Sequence, residues 1–265
     1  MNRPLGLGHF TFLHLSPAEL VRLARGAGFG FVGMRFNPVS PGALNWLPDA
    51  AGLAELDRVM RGEGVGLYDV ETVIIDATLD PAALVPMMEA AARLGGQRIN
   101  TCADRFDGLV DRFAGICDLA NGYGLGVDLE CMAWRGLNTP ADCLALLRDS
   151  GTDNAGYLVD ALHHTRCGGA PADLSAVPAH YLRSAQLCDA PKEAPADLDG
   201  LLAEARGGRL LPDEGGLPLA EILAALPEDI VLSVELPSVT DERPDLERAR
   251  AIHAATVALM ARARP

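Results

Sequence analysis

The stretch 126–160 contains two apolar runs, Val127-Asp128-Leu129-Glu130 and Tyr157-Leu158-Val159-Asp160, and each run ends on a carboxylate. Between them, Thr139-Pro140-Ala141-Asp142 has the form of a helix start, with a threonine N-cap and proline in the first turn. We interpret the stretch as a strand–helix–strand unit. Strands that alternate with helices are typical of a parallel sheet, so the unit predicts an α/β fold.

The same alternation continues along the whole chain. Strands are predicted at 5–9, 31–35, 66–71, 98–102, 126–131, 156–160, 181–187 and 230–235. Helices are predicted at 17–26, 50–62, 81–94, 105–122, 140–149, 217–226 and 244–262. Eight such units in one chain predict a (β/α)8 TIM barrel, as a single domain over residues 1–265. A doubly wound sheet is the alternative, but Gly6-Leu7-Gly8-His9 lacks the third glycine of a nucleotide-binding loop.

Composition excludes several classes of protein. The formal net charge is -14, and an acidic surface repels phosphate backbones, so a nucleic-acid partner is not expected. Apolar runs stay well short of the roughly 20 residues that a membrane span needs, and the N-terminus lacks a signal-peptide pattern. We therefore expect a cytoplasmic protein with no membrane partner. Lys192 is the only lysine, so Schiff-base chemistry would have to use that residue.

The 6 cysteines stand singly, without a C-x-x-C pair. This spacing does not support a zinc knuckle. We expect reduced thiols, because isolated cysteines in a cytosolic protein are usually buried and unreactive.

A closed parallel barrel brings the carboxyl ends of its strands to one rim, where active residues lie. The residues at the predicted strand ends are His9, Arg35, Glu71, Asn100, Glu130, Asp160, Gln186 and Glu235. Four of them, Glu130, Asp160, Gln186 and Glu235, would form an all-oxygen set of metal ligands. Oxygen ligands favour Mn²⁺ or Mg²⁺ over Zn²⁺, so we predict one of these ions. The alternative is that Gln186 only hydrogen-bonds to substrate or water.

Glu130 and Glu235 are also candidates for catalysis, because two carboxyl groups on either side of a substrate suit a two-base proton transfer. A structural salt bridge to arginine is the alternative for each. Arg35 and Glu71 are candidates for substrate binding or, equally, for a salt bridge with each other. His9 is a further pocket candidate. Trp134 would form an apolar wall for a sugar, or would pack within its loop.

The order of these residues resembles the xylose isomerase-like TIM barrel superfamily. The resemblance rests on Glu130, on Asp160 followed by His163, on Gln186-Leu187-Cys188-Asp189, and on Glu235. It implies that Glu130, Asp160 and Glu235 bind a metal, with Glu130 and Glu235 as the acid/base pair. It also implies that His163 contacts the substrate. The family's usual histidine on strand seven is Gln186 here.

The resemblance implies a metal-dependent isomerase or epimerase of a sugar or polyol-type carbonyl compound, acting through an enediolate. Two alternatives stay open: a lyase or dehydratase with the same site, and a barrel that binds a sugar without catalysis. The expected partner is a small molecule, and a homo-oligomer is compatible with the sequence. The segment 188–211 is expected to form a long loop with a short helix over the rim, and the glycine-rich turn 211–217 is expected to be structural.

Overall fold

The computed structural model describes residues 4–40 and 42–263. Within them, parallel strands close into a barrel in the order β1-β2-β3-β4-β5-β6-β7-β8. The strands are β1 (Leu5–Leu7), β2 (Phe31–Arg35), β3 (Gly66–Ile75), β4 (Arg98–Ala103), β5 (Gly126–Leu129), β6 (Ala155–Asp160), β7 (Leu182–Leu187) and β8 (Val231–Val234). The predicted (β/α)8 barrel is confirmed. The domain boundary 1–265 stays a prediction, since residues 1–3, 41, 264 and 265 lie outside the described residues.

Helices connect the strands on the outside of the barrel. They are α1 (Pro17–Ala27), α2 (Ala50–Glu63), α3 (Val85–Arg93), α4 (Leu109–Asn121), α5 (Pro140–Ser150), α6 (Ala161–Arg166), α7 (Pro171–Leu174), α8 (Leu198–Gly207), α9 (Leu219–Ala225) and α10 (Asp245–Ala263). None of these helices is both long and apolar enough to cross a membrane. The short helix expected within 188–211 is α8, whereas α6 and α7 were not predicted.

Local sequence signals account for the helix starts. Ser16 and Glu19 form a reciprocal capping box at α1, and Thr139 accepts the backbone N–H of Asp142 at α5. Such caps satisfy N–H groups that have no partner inside the helix. The apolar face of α1, with Leu20 and Ala24 fully buried, packs against the core. The barrel then closes where Gly6 of β1 lies opposite both Phe31 of β2 and Ser233 of β8.

Several predicted boundaries differ from the structure, and those of the first and third strands affect candidate site residues. The predicted first strand at 5–9 ends at Leu7, and a 3-10 helix begins at His9. The third strand was predicted at 66–71 but continues to Ile75, because its apolar residues 73–75 pair with β4 beyond Glu71. Glu71 was predicted to end this strand, but it lies inside the strand.

An ion pair lies inside the barrel, toward the amino-terminal ends of β4 and β5. Arg98 pairs with Asp128, which is fully buried and also accepts a 2.9 Å hydrogen bond from Ser184. Gly126 and Gly156 leave room for this pair, because a Cβ atom at either position would meet the Arg98 guanidinium. Burial of an ion pair is tolerated when its remaining polar atoms are bonded, as they are at Asp128.

The cysteines are all buried and free, as expected from the sequence. They are less isolated than their spacing predicts, because the thiol of Cys131 lies beside those of Cys143 and Cys167. Burial raises the pKa of Cys188 to about 12, although the positive charge of Arg209 acts against this shift. Most of these thiols are thus held in their neutral form.

Gly126→Ala is expected to destabilise the protein by about 1–3 kcal/mol, because overpacking a filled site forces its neighbours to move. The added Cβ would lie 2.7 Å from the carbonyl oxygen of Asn154, which is backbone and cannot rotate away. The free energy of unfolding, measured in urea, tests this.

The matched control is Gly115→Ala in α4, where the new methyl group meets nothing within 4 Å. That change should be neutral or stabilise by up to about 1 kcal/mol, since alanine favours a helix over glycine. Equal losses in the two variants would contradict the packing argument.

Candidate active site

The carboxyl ends of the last four strands place polar side chains around one cavity. Glu130 follows β5, Asp160 ends β6, Gln186 lies on β7 and Glu235 follows β8. Asp160 lies in register with Gln186 on the neighbouring strand. The cavity has a volume of about 360 Å³, and its lining includes Glu130, His163, Gln186 and Glu235. The structure therefore brings these four predicted residues to a common surface, with Asp160 directly behind them.

Arg209 lies at the centre of this group and is 1% exposed. Its Nε donates to the carbonyl oxygen of Ala205 at 3.0 Å. Its Nη1 donates to Asp160 Oδ2 at 2.6 Å and to the carbonyl oxygen of Glu235 at 3.0 Å. Its Nη2 donates to His163 Nε2 at 3.2 Å and lies 3.0 Å from Glu235 Oε2. A guanidinium carries five N–H groups, and here they face five oxygen or nitrogen acceptors, with the Cys188 sulfur 3.5 Å from Nη1 as a sixth partner.

The chain holds Arg209 in place through Asp189, which follows β7. The backbones of Asp189 and Leu210 form a short antiparallel bridge, with hydrogen bonds of 2.9 and 2.8 Å. The Asp189 carboxylate then accepts backbone N–H groups from Ala190, Asp213, Gly215 and Leu217, at 2.8–3.1 Å. The glycine-rich turn at 211–217 is thus organised around one buried carboxylate, and together with the bridge at Leu210 it holds Arg209, two residues before the turn.

Asp160 has both carboxylate oxygens engaged. Oδ1 accepts the backbone N–H of His163 at 2.9 Å, as the N-cap of α6, and Oδ2 accepts from Arg209. Burial alone would raise the pKa of Asp160, but the charge of Arg209 and the contact with His163 lower it below its usual value. Asp160 is therefore a carboxylate, and its negative charge is balanced by the guanidinium.

Glu130 and Glu235 have the opposite character. Burial raises the pKa of Glu130 well above its usual value, and the negative charges of Asp160 and Glu235 raise it further. Burial also raises the pKa of Glu235, against the lowering effect of Arg209 and with the repulsion of Glu71 added. Glu130 Oε1 is buried, with no hydrogen-bond partner among the described residues. Carboxyl groups of this kind can hold or release a proton near neutral pH.

His163 is neutral and held from two sides. Burial lowers its pKa to about 4, and the nearby Arg209 charge acts in the same direction. Because arginine can only donate, His163 Nε2 must accept, which leaves the proton on Nδ1. The indole of Trp134 packs edge-on against the His163 ring, with centroids 5.1 Å apart, and also lines the cavity. Trp134 thus serves as a wall and as a support for His163.

Strands β2 and β3 contribute a second ion pair to this region, with a longer N–O distance. Arg35 Nη2 lies 3.5 Å from Glu71 Oε1, so these two residues do form a salt bridge. Arg35 lines the cavity, whereas Glu71 lies behind the wall and accepts the backbone N–H of Phe10 at 2.9 Å. His9 does not line the cavity. Its Nδ1 accepts the Arg35 N–H, and its Nε2 donates to the carbonyl oxygen of Leu15, so both ring nitrogens are bonded to backbone.

A divalent metal ion can be tested against these contacts. Among the described residues, Glu130, Asp160 and His163 have ligand atoms that all lie within 4.8 Å of one another, and could hold an ion. However, Asp160 Oδ2 and His163 Nε2 accept hydrogen bonds from Arg209. Glu235 is also paired with Arg209. The predicted set of Glu130, Asp160, Gln186 and Glu235 does not fit an ion while the guanidinium is bonded in this way.

Arg209 is a central residue of this cluster that sequence reasoning missed. It lies inside the segment 188–211, which was interpreted only as a loop over the rim. Two signals could have found it: Arg209 directly precedes the apolar pair Leu210-Leu211, and buried carboxylates on several strands require a cation. Neither signal gives a position by itself, because the reach of a loop residue depends on the turn that follows it.

The residues 21–256 match the model of the xylose isomerase-like TIM barrel family. The chain belongs to this family. The resemblance seen in the sequence is thereby confirmed, and the match spans every strand from β2 to β8. No curated protein sequence matches the chain.

Several solved structures have a fold similar to that of this chain. An IolI protein with a bound zinc atom has a TM-score of 0.80 at 18% identity, and the match covers 98% of each chain. A probable 3-DHS dehydratase, AsbF from Bacillus anthracis, has a TM-score of 0.74 at 16% identity, over 96% of this chain and 98% of that one. A D-psicose 3-epimerase has a TM-score of 0.73 at 15% identity, over 97% and 99%. At these identities the likeness shows a shared fold.

Asp189→Asn is expected to lower the free energy of unfolding by about 2 kcal/mol or more, because buried N–H groups lose a charged acceptor. An amide has a single acceptor oxygen, whereas the carboxylate accepts on both Oδ1 and Oδ2. Equilibrium unfolding in urea measures the loss.

Asp173→Asn is the control, since exposed Asp173 caps α7 through the N–H of Ala170 and an amide oxygen can replace that contact. Its effect should stay below about 0.5 kcal/mol. If Asp189→Asn were as mild as this control, the turn would not depend on the Asp189 carboxylate.

Proposed function

We propose that the protein is an isomerase or epimerase of a small sugar or polyol-type carbonyl compound. The reaction would move a proton between carbons next to a carbonyl group, through an enediolate. The substrate would lie in the cavity at the carboxyl ends of the strands, the position that active sites of such barrels share. The family membership and the sugar-modifying enzymes of similar fold support this class of reaction.

The observation that carries the proposal is the pair of buried glutamates, Glu130 and Glu235. Both line the cavity, both have a raised pKa, and they come from strands on different sides of it. A proton-transfer enzyme needs one carboxylate that removes a proton and one carboxylic acid that returns it. When the surroundings of two carboxyl groups differ, their pKa values differ too, and one group can act as the base while the other acts as the acid.

The contacts of the two glutamates favour Glu235 as the base. Glu235 Oε2 lies 3.0 Å from the Arg209 guanidinium, which stabilises its charged form. Among the described residues, Glu130 makes no close ion pair with a guanidinium, although the charge of Arg209 lowers its pKa from a distance; His163 Nε2 lies 3.9 Å from Glu130 Oε1. Glu130 would therefore hold the proton that is returned, while Glu235 accepts the proton that leaves the substrate.

Amide groups are available for the oxygen that becomes negative in the enediolate. Gln186 and Asn100 both line the cavity, and Asn100 Nδ2 makes no hydrogen bond of normal geometry among the described residues. Donors that are already in place stabilise developing charge without having to reorganise.

Arg35, His163 and Trp134 would shape the substrate pocket. Arg35 is 6% exposed, and its Nε lacks a partner among the described residues, so it can bind an oxygen of the substrate. The indole of Trp134 offers an apolar face of the kind that packs against a sugar ring. Glu71 would act indirectly, by holding Arg35.

Glu235→Gln should slow exchange of the substrate's α-proton with solvent deuterium by about 10²–10⁴-fold, because an amide cannot act as a base. Candidate keto-sugars are first screened by NMR in D₂O with the unaltered protein. The control is Glu221→Gln on the exposed surface of α9, which should exchange at the original rate. Undiminished exchange in Glu235→Gln, with its fold intact by circular dichroism, would exclude Glu235 as the base.

Glu130→Gln should separate the two halves of the reaction. Exchange of the α-proton should persist, because Glu235 remains, while formation of the isomerised product should fall by about 10²-fold or more. Mass spectrometry of the product then decides between reaction classes. An unchanged formula supports the isomerase, and loss of one water would assign the site to a dehydratase.

A further inference from the structure

We propose that the guanidinium of Arg209, and not a divalent metal ion, is the resident cation of this site. The proposal deepens the proposed function, because it concerns the same cavity. It rests on contacts of Arg209 that exist without substrate, and it can therefore be tested apart from the reaction.

The first argument is that Arg209 uses the atoms that a metal ion would need. Asp160 Oδ2 and His163 Nε2 lie 2.6 and 3.2 Å from its two terminal nitrogens. These residues belong to the described group with closely spaced ligand atoms, and the third member is Glu130. An ion bound through Asp160 Oδ2 and His163 Nε2 would have to displace two hydrogen bonds and would lie beside a fixed positive charge.

The second argument is that Arg209 is not free to move aside. Its Nε donates to the carbonyl oxygen of Ala205 in the last turn of α8, and its backbone N–H donates to the carbonyl oxygen of Pro237 at 3.3 Å. The bridge between Asp189 and Leu210 holds the next residue. Displacement of the side chain would leave a fully buried guanidinium without its acceptors, which is costly.

The third argument concerns the remaining ligand. Gln186 occupies β7, beside Asp160, and offers a neutral amide oxygen. A neutral amide compensates less of an ion's charge than a carboxylate or thiolate, and binds transition metals less well than imidazole. With the charge of Asp160 already paired to Arg209, the site offers a divalent ion little net attraction.

A competing role for Arg209 predicts the opposite result. Arginine that hydrogen-bonds to a metal-binding carboxylate can orient it, and loss of such a partner typically weakens metal affinity by about 10–100-fold. If Arg209 excludes the ion, its removal should instead strengthen binding. The direction of the change in metal affinity therefore distinguishes the two roles. If Arg209 had a purely structural role, its replacement would leave the metal affinity unchanged.

The test is a titration of the chelator-treated protein with Mn²⁺, followed by electron paramagnetic resonance of the free ion. Four forms are compared: the unaltered protein, Arg209→Gln, Arg209→Lys and Arg206→Gln. Arg206 is the matched control, because it is an exposed arginine that lines the same cavity three residues earlier. Circular dichroism checks that each variant is folded. No substrate is present, so failure of the isomerase assignment leaves the result unaffected.

We expect no saturable Mn²⁺ binding by the unaltered protein, Arg209→Lys or Arg206→Gln. Arg209→Gln should bind Mn²⁺ with an affinity at least about tenfold above the weakest affinity that the titration detects. A Kd below about 10 μM for the unaltered protein would overturn the proposal, even if the variants failed to fold. Binding by Arg209→Gln no tighter than by the unaltered protein would also overturn it. So would equal affinities for Arg209→Gln and Arg209→Lys.

Discussion

The ion pair between Asp160 and Arg209 is the interaction on which the site depends. A carboxylate at the end of a fully buried strand is unstable without a compensating charge, and Arg209 Nη1 supplies it at 2.6 Å. The same guanidinium then fixes His163 and one oxygen of Glu235. The ends of β6 and β8 are thereby linked through one side chain, which fixes the position of Glu235.

A second buried ion pair, between Arg98 and Asp128, stabilises the opposite end of the barrel. The two pairs differ in their surroundings. Ser184 bonds to Asp128, and the neighbouring glycines Gly126 and Gly156 leave space for the guanidinium, so both Asp128 oxygens have partners. At the carboxyl end the charged groups border an open cavity, which lets them meet a ligand. One barrel thus encloses one buried ion pair among packed side chains and places the other beside a cavity.

The sequence was sufficient to predict the fold and most of the polar residues that surround the cavity. Glu130, Asp160, Gln186 and Glu235 follow apolar runs of regular spacing, and a parallel barrel places such positions on one rim. His9 lies away from the cavity because β1 ends two residues earlier, and the ring bonds to the backbone N–H of Arg35 and the carbonyl oxygen of Leu15. Arg209 escaped prediction because its position depends on a turn organised by Asp189 through long-range hydrogen bonds. The hydrophobic periodicity of the sequence carries no information about such long-range contacts.

The contribution of Arg209 also sets an order of events for a growing chain. Asp160 is synthesised 49 residues before the arginine that neutralises it, and Glu235 comes 26 residues after that arginine. Until residue 209 has joined the barrel, β6 carries an uncompensated charge at its end. Stable docking of β6 is therefore coupled to the arrival of a loop that lies beyond β7. The last quarter of the chain completes the barrel wall and, in the same step, neutralises its rim.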